Sequence, residues 1–160
     1  MAEFGNVPLG PPRDRLERFT AACVVGEPEQ LREVLTSDAR GWSPALSYGS
    51  RSEAVTLLRD HATHLLVVEF TPEVMWWIAP CLCAYWSLVA IQAEPLLVAD
   101  DVLVDACDEP VYLTGASMIT MREERATFVA TYYDEGSLVE QVILRSNPGL
   151  EGGGTSPLPV

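Results

Sequence analysis

The chain has no lysine: all ten basic residues among its 160 are arginines, and 23 residues are acidic. Without a lysine amine, no side chain can form a Schiff base with a carbonyl compound. The net charge of −13 would repel the phosphates of nucleic acids and anionic lipid surfaces. We therefore expect neither nucleic acid nor a membrane among the partners.

The N-terminal residues lack the features of a secretory signal. Residues 1–6 have neither the basic start nor the apolar run that such a signal requires. Four cysteines in a chain without a leader are most simply reduced thiols. The sequence therefore predicts a cytoplasmic protein.

An uncharged stretch, residues 74–93, dominates the sequence and contains three of the four tryptophans. Its length is sufficient for a membrane-spanning helix. Against that alternative, Pro80 lies inside it and lacks the backbone donor that a continuous helix needs. Its many Trp, Tyr, Val and Ile residues favour strands. We interpret it as two apolar strands that divide at Ala79-Pro80 and are covered on both faces.

Three helices are predicted before this stretch. The first runs from Arg13 to Gly26, with apolar residues at helical spacing. The second has Pro28 in its first turn and ends at Ser37-Asp38. The third begins with a capping box, in which Ser50 is followed three residues later by a glutamate.

Strands are predicted for most of the remaining sequence, besides the central pair, at residues 41–49, 65–70, 96–104, 111–121, 126–133 and 137–145. Asp108-Glu109-Pro110 is interpreted as a break, and Asp134-Glu135-Gly136 as the turn of a closing hairpin. The arrangement of residues 93–121 stays open, and an extra hairpin over a cavity mouth is one alternative. Helices followed by a run of strands predict an α+β fold, a curved antiparallel sheet with helices on one face.

The chain length predicts one folded domain. Residues 1–12 and residues 146–160 are rich in Gly and Pro and are expected to be a flexible arm and a disordered tail. The domain therefore spans residues 13–145.

Four segments resemble motifs of the nuclear transport factor 2-like superfamily. RFTAACVVGE at residues 18–27 is similar to its first-helix pattern, and LTSDA at residues 35–39 to a turn that ends in Asp-Ala. GSRSEAV at residues 49–55 is similar to a helix entry, and YYDEGSLVEQ at residues 132–141 to its closing hairpin. Among its members the resemblance is to the SnoaL-like polyketide cyclases and the ketosteroid isomerases. It implies a cone-shaped fold with three N-terminal helices on the concave face of the sheet, an apolar pocket between them, and a homodimer through the outer sheet face.

The residues that carry acid–base chemistry in such isomerases are missing here. The resemblance places Ser43 where the family has a carboxylate base, Phe19 where it has an oxyanion tyrosine, and Val129 near its buried acid. Residues 81–91 contain neither the Asp nor the Arg that the family's epoxide hydrolases use. Isomerase and epoxide hydrolase activities are therefore not expected.

Three polar residues are candidate catalytic groups. Glu69, if buried away from cations, would act as a general acid or base, and otherwise it faces solvent. Tyr85 and Ser43 could donate hydrogen bonds to a ligand carbonyl, as in an oxyanion hole, or serve in packing. The candidate ligand-binding residues are aromatic, with core or dimer packing as the alternative: Phe19, Trp42, Trp76, Trp86 and Tyr132.

No metal or cofactor is predicted. His61 and His64 lie three residues apart and Cys81 and Cys83 two apart, but neither pair has a third ligand at suitable spacing. We therefore interpret the histidines as solvated and the two cysteines as small apolar side chains.

The sequence thus predicts a tailoring enzyme for a hydrophobic natural-product intermediate, a polyketide cyclase without a cofactor. Such an enzyme would fold its substrate in an apolar, aromatic-lined cavity and would act by orientation. A non-catalytic module of the same fold, which binds a small molecule or a protein, is the alternative.

Overall fold

The computed structural model describes residues 13–25, 27–98 and 102–146 of the chain. The expected arm at residues 1–12 lies outside this part, as does the expected tail apart from Ser146. The elements follow in the order α1 (Arg13–Val25), α2 (Pro28–Val34), β1 (Leu35–Trp42), β2 (Ser47–Tyr48), α3 (Arg51–His64), β3 (Leu65–Ile78), β4 (Cys81–Gln92), β5 (Leu96–Val98), β6 (Val102–Val104), β7 (Cys107–Arg122), β8 (Arg125–Tyr133) and α4 (Glu135–Ser146).

Six of the described strands form one curved, open sheet in the order β2-β1-β8-β7-β4-β3. Neighbouring strands are antiparallel except β1 and β8, which are parallel. The segment expected as a strand at residues 96–104 contains two short strands, β5 and β6, which pair with each other as a separate sheet. The helices pack on one face of the large sheet, called the inner face below. The predicted α+β fold is thus confirmed.

The central apolar stretch forms two strands, as predicted. β3 ends at Ile78, the cis peptide bond between Ala79 and Pro80 lies in the turn, and β4 begins at Cys81. The two strands pair antiparallel along their whole length. Within the described residues, no helix combines the length and apolar character needed to cross a membrane.

The three predicted N-terminal helices are present. At the start of α3, Oγ of Ser50 accepts the N–H of Glu53 at 3.2 Å, which is one half of the predicted capping box. The Glu53 carboxylate accepts the N–H of Gly49 at 2.8 Å, one residue before the expected partner. The Ser50 bond satisfies a donor that the helix start leaves without an intrahelical partner, and the Glu53 bond holds the residue before the cap.

The predicted end of the second helix at Ser37-Asp38 is wrong. Helix α2 ends at Val34, and β1 begins at Leu35 and continues through both residues. β1 pairs in parallel with β8, and the Thr36 hydroxyl donates to the Ala126 carbonyl of β8 at 3.2 Å. This partner lies 90 residues away in sequence. Tertiary pairing therefore overrides the local helical pattern.

The predicted closing hairpin is also wrong, because residues 135–146 form a fourth helix, α4. Asp134 caps it, since its carboxylate accepts the N–H of Ser137 at 3.1 Å. Leu138 and Val142 lie four residues apart, and both are buried. That spacing places them on one helix face. Gly136, the predicted turn residue, lies in the first helical turn.

Strand β7 is continuous, so the predicted break at Asp108-Glu109-Pro110 is wrong. Proline is tolerated there because β8 does not extend along this part of β7, which is a sheet edge. Helix α4 covers the edge through Gln141. Its side-chain amide accepts the N–H of Tyr112 at 2.9 Å and donates to the carbonyl of the same residue at 2.8 Å.

The two faces of the large sheet differ in cover. On the inner face, one core cluster packs around α1, α2 and α3 and includes Phe19 and Ile119, and a second packs around α4 and includes Trp86 and Leu138. The described residues leave the opposite, outer face exposed, so this part of the chain does not provide the predicted cover on both faces. Its exposed apolar side chains include Leu66, Val74, Trp76, Ile78, Tyr85, Tyr112, Met118 and Tyr132.

Candidate functional site

A cavity of about 100 Å³ lies between the inner face of the sheet and the helices. It reaches the surface at Trp42, whose side chain is 48% exposed. A protein cavity of about 150 Å³ holds one benzene molecule, so this one accommodates no more than a single small ring. Much of the lining is aliphatic and comes from Val24, Leu46, Leu58, Leu65, Leu88 and Leu113.

Two aromatic rings form walls of the cavity, and each lies against a glycine. A methyl group on Gly115 would come within 2.4 Å of the ring of Trp86, which faces it across the β4–β7 pairing. A methyl group on Gly41 would come within 2.1 Å of the ring of Tyr48. Phe70 supports Trp86 from β3, with ring centroids 5.8 Å apart. The glycines thus allow both rings to lie close to the sheet.

A hydrogen-bonded set of side chains joins the core to the cavity. Nε1 of Trp86 donates to Oγ of Ser117 at 3.0 Å, and this oxygen lies 3.0 Å from Oγ1 of Thr131. Ser117 is buried behind the wall, whereas Thr131 lines the cavity. Thr131 therefore connects these buried hydrogen bonds to the lining of the cavity.

The remaining polar groups of the lining are uncharged at neutral pH. Burial raises the pKa of the Cys23 thiol well above its usual range. Burial, and secondarily Cys23, raises the pKa of the Tyr48 phenol. Burial, with a smaller effect from Glu135, does the same for Tyr133. Among the described residues that line the cavity there is no Asp, Glu, Arg or His.

Three of the residues predicted for the site meet at the cavity: Ser43, Trp42 and Trp86. The Ser43 hydroxyl accepts the N–H of Leu46 at 3.2 Å, so it also holds the turn between β1 and β2. Phe19, predicted to contact ligand, is buried in the core cluster around α1 and is not part of the lining. Val129, at the family's acid position, does line the cavity, as an apolar side chain.

Glu69 lies on the outer face and is exposed. Alternation from Val67, which lines the cavity, would point Glu69 inward as well. A β-bulge between the two adds one residue and reverses this alternation, so that Phe70 points inward instead. The candidate general acid or base is therefore outside the cavity.

Three further predicted residues also lie on the outer face. Tyr85 is 38% exposed, Trp76 54% and Tyr132 65%. They follow the alternation of their strands away from Trp86 and Thr131, which point inward. These three residues and Glu69 are therefore not part of the cavity lining.

Several lining residues do not appear among the sequence-based candidates, namely Cys23, Tyr48, Thr131, Tyr133 and Leu138. The alternation of β8 was a usable signal, because Val129, Thr131 and Tyr133 share one strand face. Which face points inward is set by pairing with β7, which the alternation alone does not show. Leu138 reaches the cavity only because α4 is a helix.

No protein-family profile and no curated protein matches the chain. Solved structures do match it. A protein with a ketosteroid isomerase-like fold from Catenulispora acidiphila matches with a TM-score of 0.66 and 14% identity, over 86% of this chain and 98% of that one. TsrD from Streptomyces laurentii matches with a TM-score of 0.64 and 17% identity, over 83% and 98%.

A protein provisionally named as a SnoaL-like polyketide cyclase, from Jannaschia sp. CCS1, matches with a TM-score of 0.60 and 14% identity. The match covers 85% of this chain and 96% of that one. At such low identities a structural likeness establishes a fold and not an activity. The chain therefore has the ketosteroid isomerase-like fold of these structures, which is the fold that the sequence resemblance implied.

Proposed function

We propose that the cavity binds a small, uncharged, apolar molecule, and that the chain is a tailoring enzyme for a hydrophobic natural-product intermediate, of the polyketide cyclase type. The observation that carries this proposal is the apolar cavity, in which no charged side chain of the described residues takes part. An ionised ligand buried there would lose its hydration without gaining a charged partner. The provisional name of the Jannaschia protein agrees with this activity.

Because the cavity opens at Trp42, a substrate larger than the cavity would lie partly inside it and partly outside. About 100 Å³ accommodates at most one ring, which is less than a polycyclic product needs. A longer substrate would place one ring between Trp86 and Tyr48 and leave the remainder at the half-exposed indole of Trp42. The cavity would then determine at which end of the substrate the first ring forms.

Orientation is the form of catalysis that this cavity can supply. Its described lining offers no carboxylate or imidazole as a base, and Cys23 and Tyr48 keep their protons at neutral pH because burial raises both pKa values. Walls fixed on strands restrict the conformations of a flexible chain. In favourable cases such restriction lowers a barrier by about 7–11 kcal/mol. Ring closure of a polycarbonyl chain needs correct folding more than an added base.

A binding module without catalysis is the second candidate, and the same lack of a base favours it. Such a module would hold its ligand without converting it. The two candidates therefore agree on binding and differ only in turnover.

Incubation of the purified chain with a synthetic polycarbonyl thioester tests the proposal. We expect one cyclised product to dominate over the mixture that forms spontaneously, as measured by liquid chromatography and mass spectrometry. Ala90→Phe fills the cavity from a buried lining position and should restore the spontaneous mixture. Ala106→Phe, at an exposed position outside the lining, is the matched control and should keep the dominant product.

Two other results would decide against cyclisation. Saturable binding of the thioester with an unchanged product mixture supports the binding module. No binding by the wild-type chain, with the control variant equally inactive, contradicts both candidates.

We also propose that the outer face is covered by a second copy of the chain. Along β4 and β7, the residues that point outward are all uncharged, from Cys81 to Ile91 and from Tyr112 to Thr120. Monomeric proteins rarely expose large continuous apolar patches, and a chain with a net charge of −13 has charged residues available for its surface. A homodimer would bury Trp76, Tyr85 and Met118.

A further inference from the structure

Side-chain chemistry determines which group is the donor in the hydrogen bonds that join Trp86, Ser117 and Thr131. An indole N–H can only donate, so Oγ of Ser117 accepts from Trp86 at 3.0 Å. The 3.0 Å contact between Ser117 and Thr131 joins two hydroxyl groups, either of which can be the donor. Ser117 and Thr131 are direct partners in the β7–β8 pairing, so the strand register fixes their separation.

One of the two directions leaves a buried proton without an acceptor. If Thr131 donated to Ser117, the Ser117 oxygen would accept twice, and its own proton would have no acceptor among the bonds of the described residues. Ser117 is 3% exposed, so water does not replace the missing partner. Native cores avoid such buried unsatisfied donors.

The opposite direction satisfies the buried groups. Trp86 donates to Ser117, and Ser117 donates to Thr131. The Thr131 oxygen is then already an acceptor on its buried side. The hydroxyl proton of Thr131 is then not used by these bonds. Because Thr131 lines the cavity, this proton can be directed toward the cavity.

We propose that Thr131 is the recognition group of the cavity, which donates its hydroxyl proton to an acceptor oxygen of the ligand. This inference rests on the proposed function, because it assigns the ligand of the same cavity. The ligand class is an uncharged ring compound with a carbonyl oxygen at its edge. A hydrocarbon of the same shape would fill the cavity but leave this donor unused.

Two probes of nearly equal shape separate the hydrogen bond from the filling of the cavity. Cyclohexanone has a carbonyl oxygen, and methylenecyclohexane has a CH₂ group in its place. Both are titrated into the full chain and into Thr131→Val and Thr131→Ser, and dissociation constants are measured by calorimetry or by NMR. We expect Thr131→Val to weaken binding of the ketone by roughly 2- to 12-fold, the range for one neutral hydrogen bond. Binding of the alkene should stay unchanged, and Thr131→Ser should keep the preference for the ketone.

Infrared spectroscopy of the bound ketone supplies a second readout in the wild-type chain itself. A hydrogen bond from Thr131 lowers the carbonyl stretching frequency relative to the ketone in an alkane solvent. The inference can therefore be overturned even if Thr131→Val does not fold. A bound ketone with the alkane frequency overturns it.

The binding results distinguish the two proposals. If methylenecyclohexane binds and Thr131→Val affects both probes equally, Thr131 is not the recognition group, while the proposed cavity function stands. If neither probe binds the wild-type chain, the small-molecule cavity itself is contradicted, and the role of Thr131 with it.

Discussion

Two glycines determine where the aromatic walls of the cavity stand. Gly115 and Gly41 lie under the rings of Trp86 and Tyr48 at distances that a side chain could not tolerate. Both pairs belong to the sheet, so the rings are positioned by strand pairing and not by loops. The shape of the cavity therefore depends on the absence of two Cβ atoms as much as on the side chains that are present.

Gly115→Ala should displace the indole of Trp86 and break its bond to Ser117. We expect a loss of about 1–3 kcal/mol in the free energy of unfolding, because the indole is fully buried and rigid. Gly49→Ala is the control, since a methyl group there meets only a carboxylate oxygen at 3.6 Å, an ordinary contact distance. That control should be neutral or stabilising by up to about 1 kcal/mol, because alanine has less backbone freedom to lose on folding. Urea denaturation measures both, and equal stability of Gly115→Ala and wild type would contradict the account.

The buried thiol of Cys23 makes stability depend on alkaline pH. Burial raises its pKa in the folded state, whereas in the unfolded chain it ionises near about pH 8.5. Below that pH both states keep the proton, and above it only the unfolded state loses it. The free energy of unfolding therefore falls as pH rises, by up to about 1.4 kcal/mol per pH unit for this group.

Cys23→Ala should flatten this dependence between about pH 8 and about pH 10, as measured by urea denaturation at several pH values. Val24→Ala shortens a neighbouring lining residue and is the control. It should lower stability at every pH and keep the wild-type slope. A slope in Cys23→Ala as steep as that of wild type would assign the dependence to other groups.

At the scale of elements, the turn between β7 and β8 is strained. Glu123 and Glu124 have φ angles of 49° and 71°, in the left-handed region that side chains other than glycine disfavour. A two-residue hairpin with both central φ values positive is of type I′, for which Asn-Gly is the preferred sequence. Pairing of the long strands on both sides keeps the two glutamates in this conformation.

Glu123→Asn combined with Glu124→Gly should stabilise the protein by about 1–2 kcal/mol, because it relieves the left-handed strain. The control replaces both glutamates by glutamine, which removes their charge and keeps the strain. Thermal and urea denaturation compare the three chains. An equal gain in the glutamine variant would mean that charge repulsion, and not backbone conformation, limits this turn.

Local signals in the sequence located most elements, whereas long-range pairing decided the rest. Pro80 divides the apolar stretch and Ser50 caps α3, and both features act within a few residues. The strand identity of residues 35–42 depends on β8, a partner that lies far along the chain. Asp134 followed by Gly136 is compatible with a turn as well as with a helix cap, and the buried spacing of α4 decides between them.

The candidate site was harder to predict than the fold. Strand alternation separates two sets of side chains, but it does not show which set points inward. On β8 the sequence offers Tyr132 on one face and Thr131 with Tyr133 on the other, and pairing with β7 turns the second set inward. On β3 a single bulge reverses the direction of Glu69. Neither event leaves a local signature in composition or periodicity.

For the whole molecule, the outer face sets the expected oligomeric state. Met118→Arg places a charge among the exposed apolar residues of β7, and it makes the net charge less negative. If a second copy covers this face, the buried unpaired charge should weaken dimerisation by about 100-fold or more, as measured by sedimentation equilibrium. Leu103→Arg, on β6 and 62% exposed, makes the same change elsewhere and should leave the dimer intact. A monomeric wild-type chain, or a Met118→Arg variant as dimeric as Leu103→Arg, would show that the outer face is not the interface.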